Sequence, residues 1–246
     1  MTTAPWQPAP EQLTLGPDEV HVWCASLARP EAELASLAAT LIEKEHDRAA
    51  GMKEGPIRNE FVAARGLLRT LLGRYLGRPP QSFRFRSGPT GKPYLDGVEP
   101  PFYFNVSHSG DVGLLAFATC GEVGIDVERF RLFNNVLGIA QRWFRPPEVA
   151  LLKTLDAAAQ LQAFFRAWTL KEAMLKASGI GLGHGLARVE VTLAPDDPPR
   201  VVYIEEQEGE EPSWSLCQLF PVPGYMGAVA LRYHDYRLRC WRWPDP

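Results

Sequence analysis

Two carboxylates, Asp126 and Glu128, stand two residues apart in the segment Val123-Gly124-Ile125-Asp126-Val127-Glu128-Arg129. In a strand such residues project from one face, while Ile125 and Val127 take the other. Paired acids on a sheet face suit a hard divalent cation. Magnesium uses oxygen ligands, often one or two protein carboxylates, and fills its octahedron with water and phosphate oxygens. The competing reading of an isolated D-x-E is a solvated strand face. A third acid shifts the balance. Leu161, Phe164, Phe165, Trp168 and Leu175 recur as the apolar stripe of a helix, and Glu172 falls inside that stripe. A carboxylate facing the protein needs a partner, either a cation or a metal. Lys176, one turn further on, lies on the same side and can reach what Glu172 holds; the bland alternative is an intrahelical Glu-to-Lys pair.

Phe104-Asn105-Val106-Ser107-His108-Ser109-Gly110-Asp111 places hydroxyls, an amide and an imidazole where a strand turns into a hairpin. Such groups could bind a phosphate, although a histidine in a polar turn is commonly structural. Gly91-Lys92-Pro93 reads as a turn with a basic tip. Arg58, Arg65 and Arg69 fall along one side of a helix, near Lys44 and Arg48. They could neutralise a polyphosphate, but a wet helix face is the better reading for most of them.

The elements that must carry these residues follow from periodicity. After a Pro-rich arm, Val20 to Ala25 alternates as a strand, and Leu34, Leu37, Ala38, Leu41 and Ile42 have helical spacing. A second helix is expected from about Asn59 to Tyr75, stopped by Gly77, Pro79 and Pro80. Strands then run to Cys120. The second half opens with a strand at Val123 to Val127, passes through helical stretches near 135–143 and 147–155, and reaches a strong helix at Ala159 to Ala177. Strands at 189–193, 201–204, 214–220 and 226–232 close it. Gly110-Asp111-Val112-Gly113-Leu114-Leu115-Ala116 and Gly224-Tyr225-Met226-Gly227-Ala228-Val229-Ala230 both read Gly-x-apolar-Gly-x-x-Ala, a hint of duplication in an α+β chain.

Composition narrows the function classes. The 246 residues, 46% apolar, can bury a sizeable core. A net charge of -3 gives no overall basic field, so nucleic acid is not an expected partner. Four scattered cysteines without a C-x-x-C pair argue against a disulfide framework and a cysteine zinc site, and fit a reducing cytoplasm. No apolar run approaches the ~20 residues that span a bilayer, and the first residues lack a signal peptide's pattern, so neither export nor a membrane is expected.

FNVSHSGD, GIDVER and the W-x-x-KE-x-x-x-K of Trp168, Lys171, Glu172 and Lys176 together resemble the Sfp-type 4′-phosphopantetheinyl transferases. The likeness runs from roughly Leu34 to Gly185. It implies an α+β pseudo-dimer of two similar halves, 1–121 and 122–246, with coenzyme A between them and a magnesium site in the second. The reaction implied moves the phosphopantetheine arm of coenzyme A onto a serine of an acyl or peptidyl carrier protein, releasing 3′,5′-ADP. The resemblance assigns Asp126, Glu128 and Glu172 to magnesium, with manganese an alternative. It assigns Arg48, Lys92, Ser107, His108, Lys171 and Lys176 to the coenzyme, with Lys44 and Arg86 as further candidates. Glu172, Glu128 and Lys176 form the catalytic set, the general base being Glu172 or Glu128, directly or through a metal-bound water. A monomer is the expected state. The competing function is a non-catalytic module that binds coenzyme A or a carrier protein.

Overall fold

The structure, a computed structural model, describes residues 5–131, 135–179 and 185–244. The opening of the Pro-rich arm at 1–4, residues 132–134 and 180–184 of the motif-bearing span, and the end of the second half at 245–246 lie outside the described residues.

The first half contains β1 (Trp6–Pro8), β2 (Glu19–Ser26), α1 (Glu31–Ala38), α2 (Glu43–Ala50), α3 (Pro56–Leu76), β3 (Phe85–Ser87), β4 (Pro93–Leu95), β5 (Tyr103–Ser109) and β6 (Val112–Ala118). The second contains β7 (Val123–Arg129), α4 (Val136–Trp143), α5 (Pro146–Leu152), α6 (Ala157–Ser178), β8 (Val189–Val191), β9 (Val201–Ile204), β10 (Ser215–Leu219), β11 (Tyr225–Leu231) and β12 (Arg237–Arg242). α3 starts where the fixed φ of Pro56 suits a first helical turn and stops at Gly77, whose φ of 62° is the left-handed cap a side chain would disfavour. α6 starts at Asp156, whose carboxylate accepts from the amides of Ala158 and Ala159, and stops at Gly179 with φ 67°.

The two halves share a plan. β2 pairs antiparallel with β6, the second strand of the β5–β6 hairpin; β7 pairs antiparallel with β11, the second strand of the β10–β11 hairpin. Each half places its long helix between the first strand and the hairpin, and the repeated Gly-x-apolar-Gly-x-x-Ala lies at both turns, with Gly110 at φ 55° and Gly224 at φ 81°.

Strand alternation then builds four layers. Val20, Val22, Leu114 and Ala116 of the first sheet meet Val123, Ile125, Val127, Val229 and Leu231 of the second. On the outer face of the first sheet Trp23, Leu115 and Phe117 pack on Leu67, Leu68, Leu71 and Leu72 of α3. On the outer face of the second, Ala228 and Ala230 pack on α6. Each fully buried leucine of such a core contributes roughly 2 kcal/mol.

Three findings depart from the sequence expectations. The helical spacing through Ile42 breaks after Ala38, and a separate helix, α2, follows with the polar sequence EKEHDRAA. Arg69 is not on a wet face; it is fully buried and donates to both carboxylate oxygens of Glu45, at 2.6 and 3.0 Å, and to the carbonyls of Pro80 and Phe83. The strand β12 was not anticipated; it returns to the first-half sheet and lies parallel between β1 and β2.

Candidate active site

The site forms where β5, β7 and α6 meet. Gly124 lets the last two approach: a Cβ there would lie 1.9 Å from the carbonyl oxygen of Ala173 and 2.4 Å from the amide nitrogen of Ala177. With α6 this close to β7, residues 172 and 176 of the helix come level with Asp126. Lys176 Nζ lies 2.6 Å from Asp126 Oδ1, 3.0 Å from Ser107 Oγ and 3.8 Å from Glu172 Oε2. Ser107 in turn donates to Asp126 Oδ1 at 2.8 Å.

Asp126 and Glu172 are both buried. Burial pushes the Asp126 carboxyl above its ordinary pKa, against the pull of Lys176 and Ser107. Glu172 is pushed up to about 7, first by burial and then by the neighbouring Asp126 charge. Burial also raises Glu128, which the hydroxyl of Ser109 opposes. Asp126 Oδ2 has no hydrogen-bond partner although it is buried. Three acids thus share one region with a single ammonium among them. Among the described residues no group of three or more His, Cys, Asp or Glu side chains is drawn together as a set of metal ligands; here Lys176 stands beside Asp126 and Glu172.

Along β5 the alternation separates two functions. Asn105, Ser107 and Ser109 face β7, whereas Phe104, Val106 and His108 belong to the opposite face of the strand. A cleft of about 400 Å³ is lined by Thr90, Lys92, Asn105, Val106 and Lys176, among others. A second hollow, about 240 Å³, is lined by Arg48, Phe61, Arg65 and His108, with Pro93, Asn105 and Val106 common to both. The two therefore adjoin, and cations stand at both ends: Lys176 and Lys92 at one, Arg48 and Arg65 at the other. Lys92 is held there by Glu122, at 2.5 Å, and by the carbonyl of Ala177. The Arg48 guanidinium lies 5.0 Å from the centre of the Phe61 ring.

Lys171 does not join this set, which corrects the expectation for it. The side chain is fully buried, its ammonium donates to Glu148 and to the Leu186 carbonyl, and it sits 4.5 Å from the Phe144 ring centre. It ties α6 to α5, and its complete burial there keeps it from a coenzyme phosphate in the clefts along β5. Arg86 lies over the Tyr94 ring beside a different hollow, and Lys44 is exposed on α2; neither lines the two clefts. Sequence reasoning favoured a wet face for Arg65 over a polyphosphate site, and offered Asn105 and Ser109 only as general phosphate-binding groups of the turn, without their pairing to β7. The spacing Asn-x-Ser-x-Ser, with every polar residue on one strand face, was the signal available for the latter two.

Two family models match the chain: "4′-phosphopantetheinyl transferase, N-terminal" over residues 28–120 and "4′-phosphopantetheinyl transferase superfamily" over residues 122–229. The 4′-phosphopantetheinyl transferase HetI of Nostoc sp. is 38% identical over 240 residues, covering 97% of this chain and 98% of that protein. The human L-aminoadipate-semialdehyde dehydrogenase-phosphopantetheinyl transferase is 34% identical, covering 71% of this chain and 61% of that protein. Among solved structures, Helicobacter pylori holo-[acyl-carrier-protein] synthase in complex with coenzyme A matches with a TM-score of 0.31 and 20% identity, covering 44% of this chain and 97% of that one.

Proposed function

The chain belongs to the 4′-phosphopantetheinyl transferase superfamily, and from that premise we propose how its residues carry the transfer of phosphopantetheine from coenzyme A to a carrier-protein serine. The observation that carries the proposal is the placement of Lys176 between the acids of β7 and α6 and the cleft along β5. The serine oxygen of the carrier attacks the phosphorus nearest pantetheine. The bond from that phosphorus to the bridging oxygen of the pyrophosphate breaks, and 3′,5′-ADP leaves. Transfers of this kind depend on alignment and charge neutralisation more than on covalent help.

In this reading the two adjoining clefts hold the coenzyme. Arg48, with Arg65 beside it, and His108 take the phosphate at one end, and Lys92 and Lys176 take phosphate charge at the other. Ser107 orients both Asp126 and Lys176 through its single hydroxyl. The serine proton goes to Glu172 or Glu128, directly or through water. Of the two, Glu172, with its pKa near 7, is suited to hold a proton and release it near neutral pH.

Asp126, Glu128 and Glu172 fit a divalent cation by the chemistry of their donors: hard oxygens only, three like charges, and one buried oxygen without a partner. They would hold magnesium, or manganese in its place. Bound there, the ion would neutralise pyrophosphate charge and steady the leaving group.

A cytoplasmic monomer belongs to the same proposal. Free thiols at all four cysteines fit a reducing compartment, and the pairing of two similar halves within one chain supports a monomer.

Mass spectrometry of an acyl or peptidyl carrier protein incubated with the chain, coenzyme A and magnesium is the test. The carrier is expected to gain the mass of phosphopantetheine, and excess chelator is expected to stop the gain. Coenzyme binding without any mass gain would point instead to a non-catalytic module. Full turnover in chelator would remove the metal from the mechanism.

A further inference from the structure

β7 is the edge strand of its sheet: β11 pairs on one side, and among the described residues no strand pairs on the other. An open edge leaves backbone N–H groups without partners. Here β5 satisfies two of them with side chains rather than with its own backbone. The Ile125 amide donates to Asn105 Oδ1 at 3.0 Å, and the Arg129 amide donates to Ser109 Oγ at 3.2 Å. The same Ser109 hydroxyl donates to Glu128 Oε2 at 2.8 Å. One oxygen therefore accepts from the backbone just after Glu128 and donates to the carboxylate of Glu128 itself.

We propose that Ser109 is a positioning residue of the transfer site, which fixes the Glu128 carboxylate against β7 and aligns it with Asp126. The proposal rests on the assignment of Glu128 to that site. A glutamate side chain has three rotatable bonds, and the Glu128 side chain is half-buried at a strand end, so packing alone leaves its head free to turn. A hydroxyl anchored by a backbone amide removes that freedom. Two residues earlier Ser107 donates to Asp126 at the same 2.8 Å, its own oxygen accepting from Lys176 instead of a backbone amide. The two hydroxyls thus form a matched pair, one for each acid of the β7 face.

Groups that orient ligating carboxylates change metal affinity by roughly ten- to a hundredfold when removed. Ser109→Ala is accordingly expected to raise the magnesium concentration at half-maximal activity about tenfold. At saturating magnesium, KM for coenzyme A is expected to stay within about twofold, because the Ser109 hydroxyl bonds Glu128 and the Arg129 amide rather than the side chains of Arg48, His108 or Lys92. The same variant should show a smaller rise in melting temperature when magnesium is added without coenzyme. Ser109→Thr, which keeps the hydroxyl, should restore both readouts. In a Glu128→Gln background, Ser109→Ala should change little further, since the group it positions has lost its charge.

Full activity of Glu128→Gln would overturn the assignment of Glu128 and the proposal with it. An impaired Glu128→Gln alongside a Ser109→Ala protein with parental magnesium response would overturn the positioning role alone. A Ser109→Ala protein that loses folding stability and activity together, unrescued by threonine, would likewise overturn it and make Ser109 a structural tie between the strands.

Discussion

Glu172 sits between two like charges and one unlike charge, with burial added. A carboxylate raised from 4.5 to about 7 keeps, in the folded chain, a proton that the unfolded chain has already released. Its contribution to stability is therefore complete below about pH 4.5 and is lost as pH rises through about 7; the shift corresponds to roughly 3 kcal/mol. Glu172→Gln keeps the shape without the charge. In chelator at pH 8 it is expected to melt at or above the parental temperature, with a flatter dependence on pH between 5 and 8. It should also lose most transfer activity and most of the stabilisation that magnesium gives the parent. Paired melting curves and the transfer assay check this; an active variant with a parental magnesium response would make Glu172 a structural acid. Lys176 partners the buried Asp126. Lys176→Ala should therefore cost stability as well as rate, on the order of 2 kcal/mol, less than for a fully buried pair because the lysine is partly exposed. Adding Asp126→Asn should recover much of that stability but no activity, as read by denaturant midpoints. The acids and Lys176 were legible in the sequence because their spacing alone puts them on defined faces. The partners of Lys171 and Arg69 were not, since Glu148 and Glu45 come from distant segments and no local period announces them.

β7 and α6 act as a pair whose separation sets the site. Their contact at Gly124 is closer than any side chain allows, because the Cβ of an alanine would overlap the helix backbone itself. Gly124→Ala should push the helix outward and draw Lys176 and Glu172 away from Asp126. The expected result is a loss of roughly 3 kcal/mol or more in stability and the loss of transfer activity even where the chain still folds. A parental melting temperature with parental turnover would show that the interface has slack. Elements with a strong apolar period were legible in advance: α3, α6, β7 and the two hairpins all fall close to their expected spans. α2 was missed because its sequence is almost wholly polar. Its anchors are Glu45, whose carboxylate accepts from the Ile42 amide and from Arg69, and the buried Ala49. β12, with sequence RLRCWR, was missed because arginines at its edge obscure an alternation that buries only Cys240 fully.

At the scale of the molecule, the two halves are joined by the apolar contact between their sheets, by the polar bonds from β5 to β7, and by β12, which crosses from the second half to lie between β1 and β2. The likeness of the halves was foreshadowed by the repeated hairpin motif, but the crossing was not, because register between distant strands leaves no mark in either one. If the chain is divided after Cys120 and the two pieces are co-expressed, they are expected to purify together. Removing residues 237–246 from the second piece should weaken that association more than tenfold in a pull-down; an unchanged yield would assign the joining to the sheet contact and the β5–β7 bonds. The crossing has a further consequence during synthesis. β2 and β6 leave the ribosome long before residues 237–242, so a nascent chain carries a first sheet with a vacant slot beside β2. Until that slot is filled, the edge of β2 is available to chaperones and to neighbouring nascent chains. The first half thus cannot mature by itself while translation continues, and the molecule closes only when the later strand slides home.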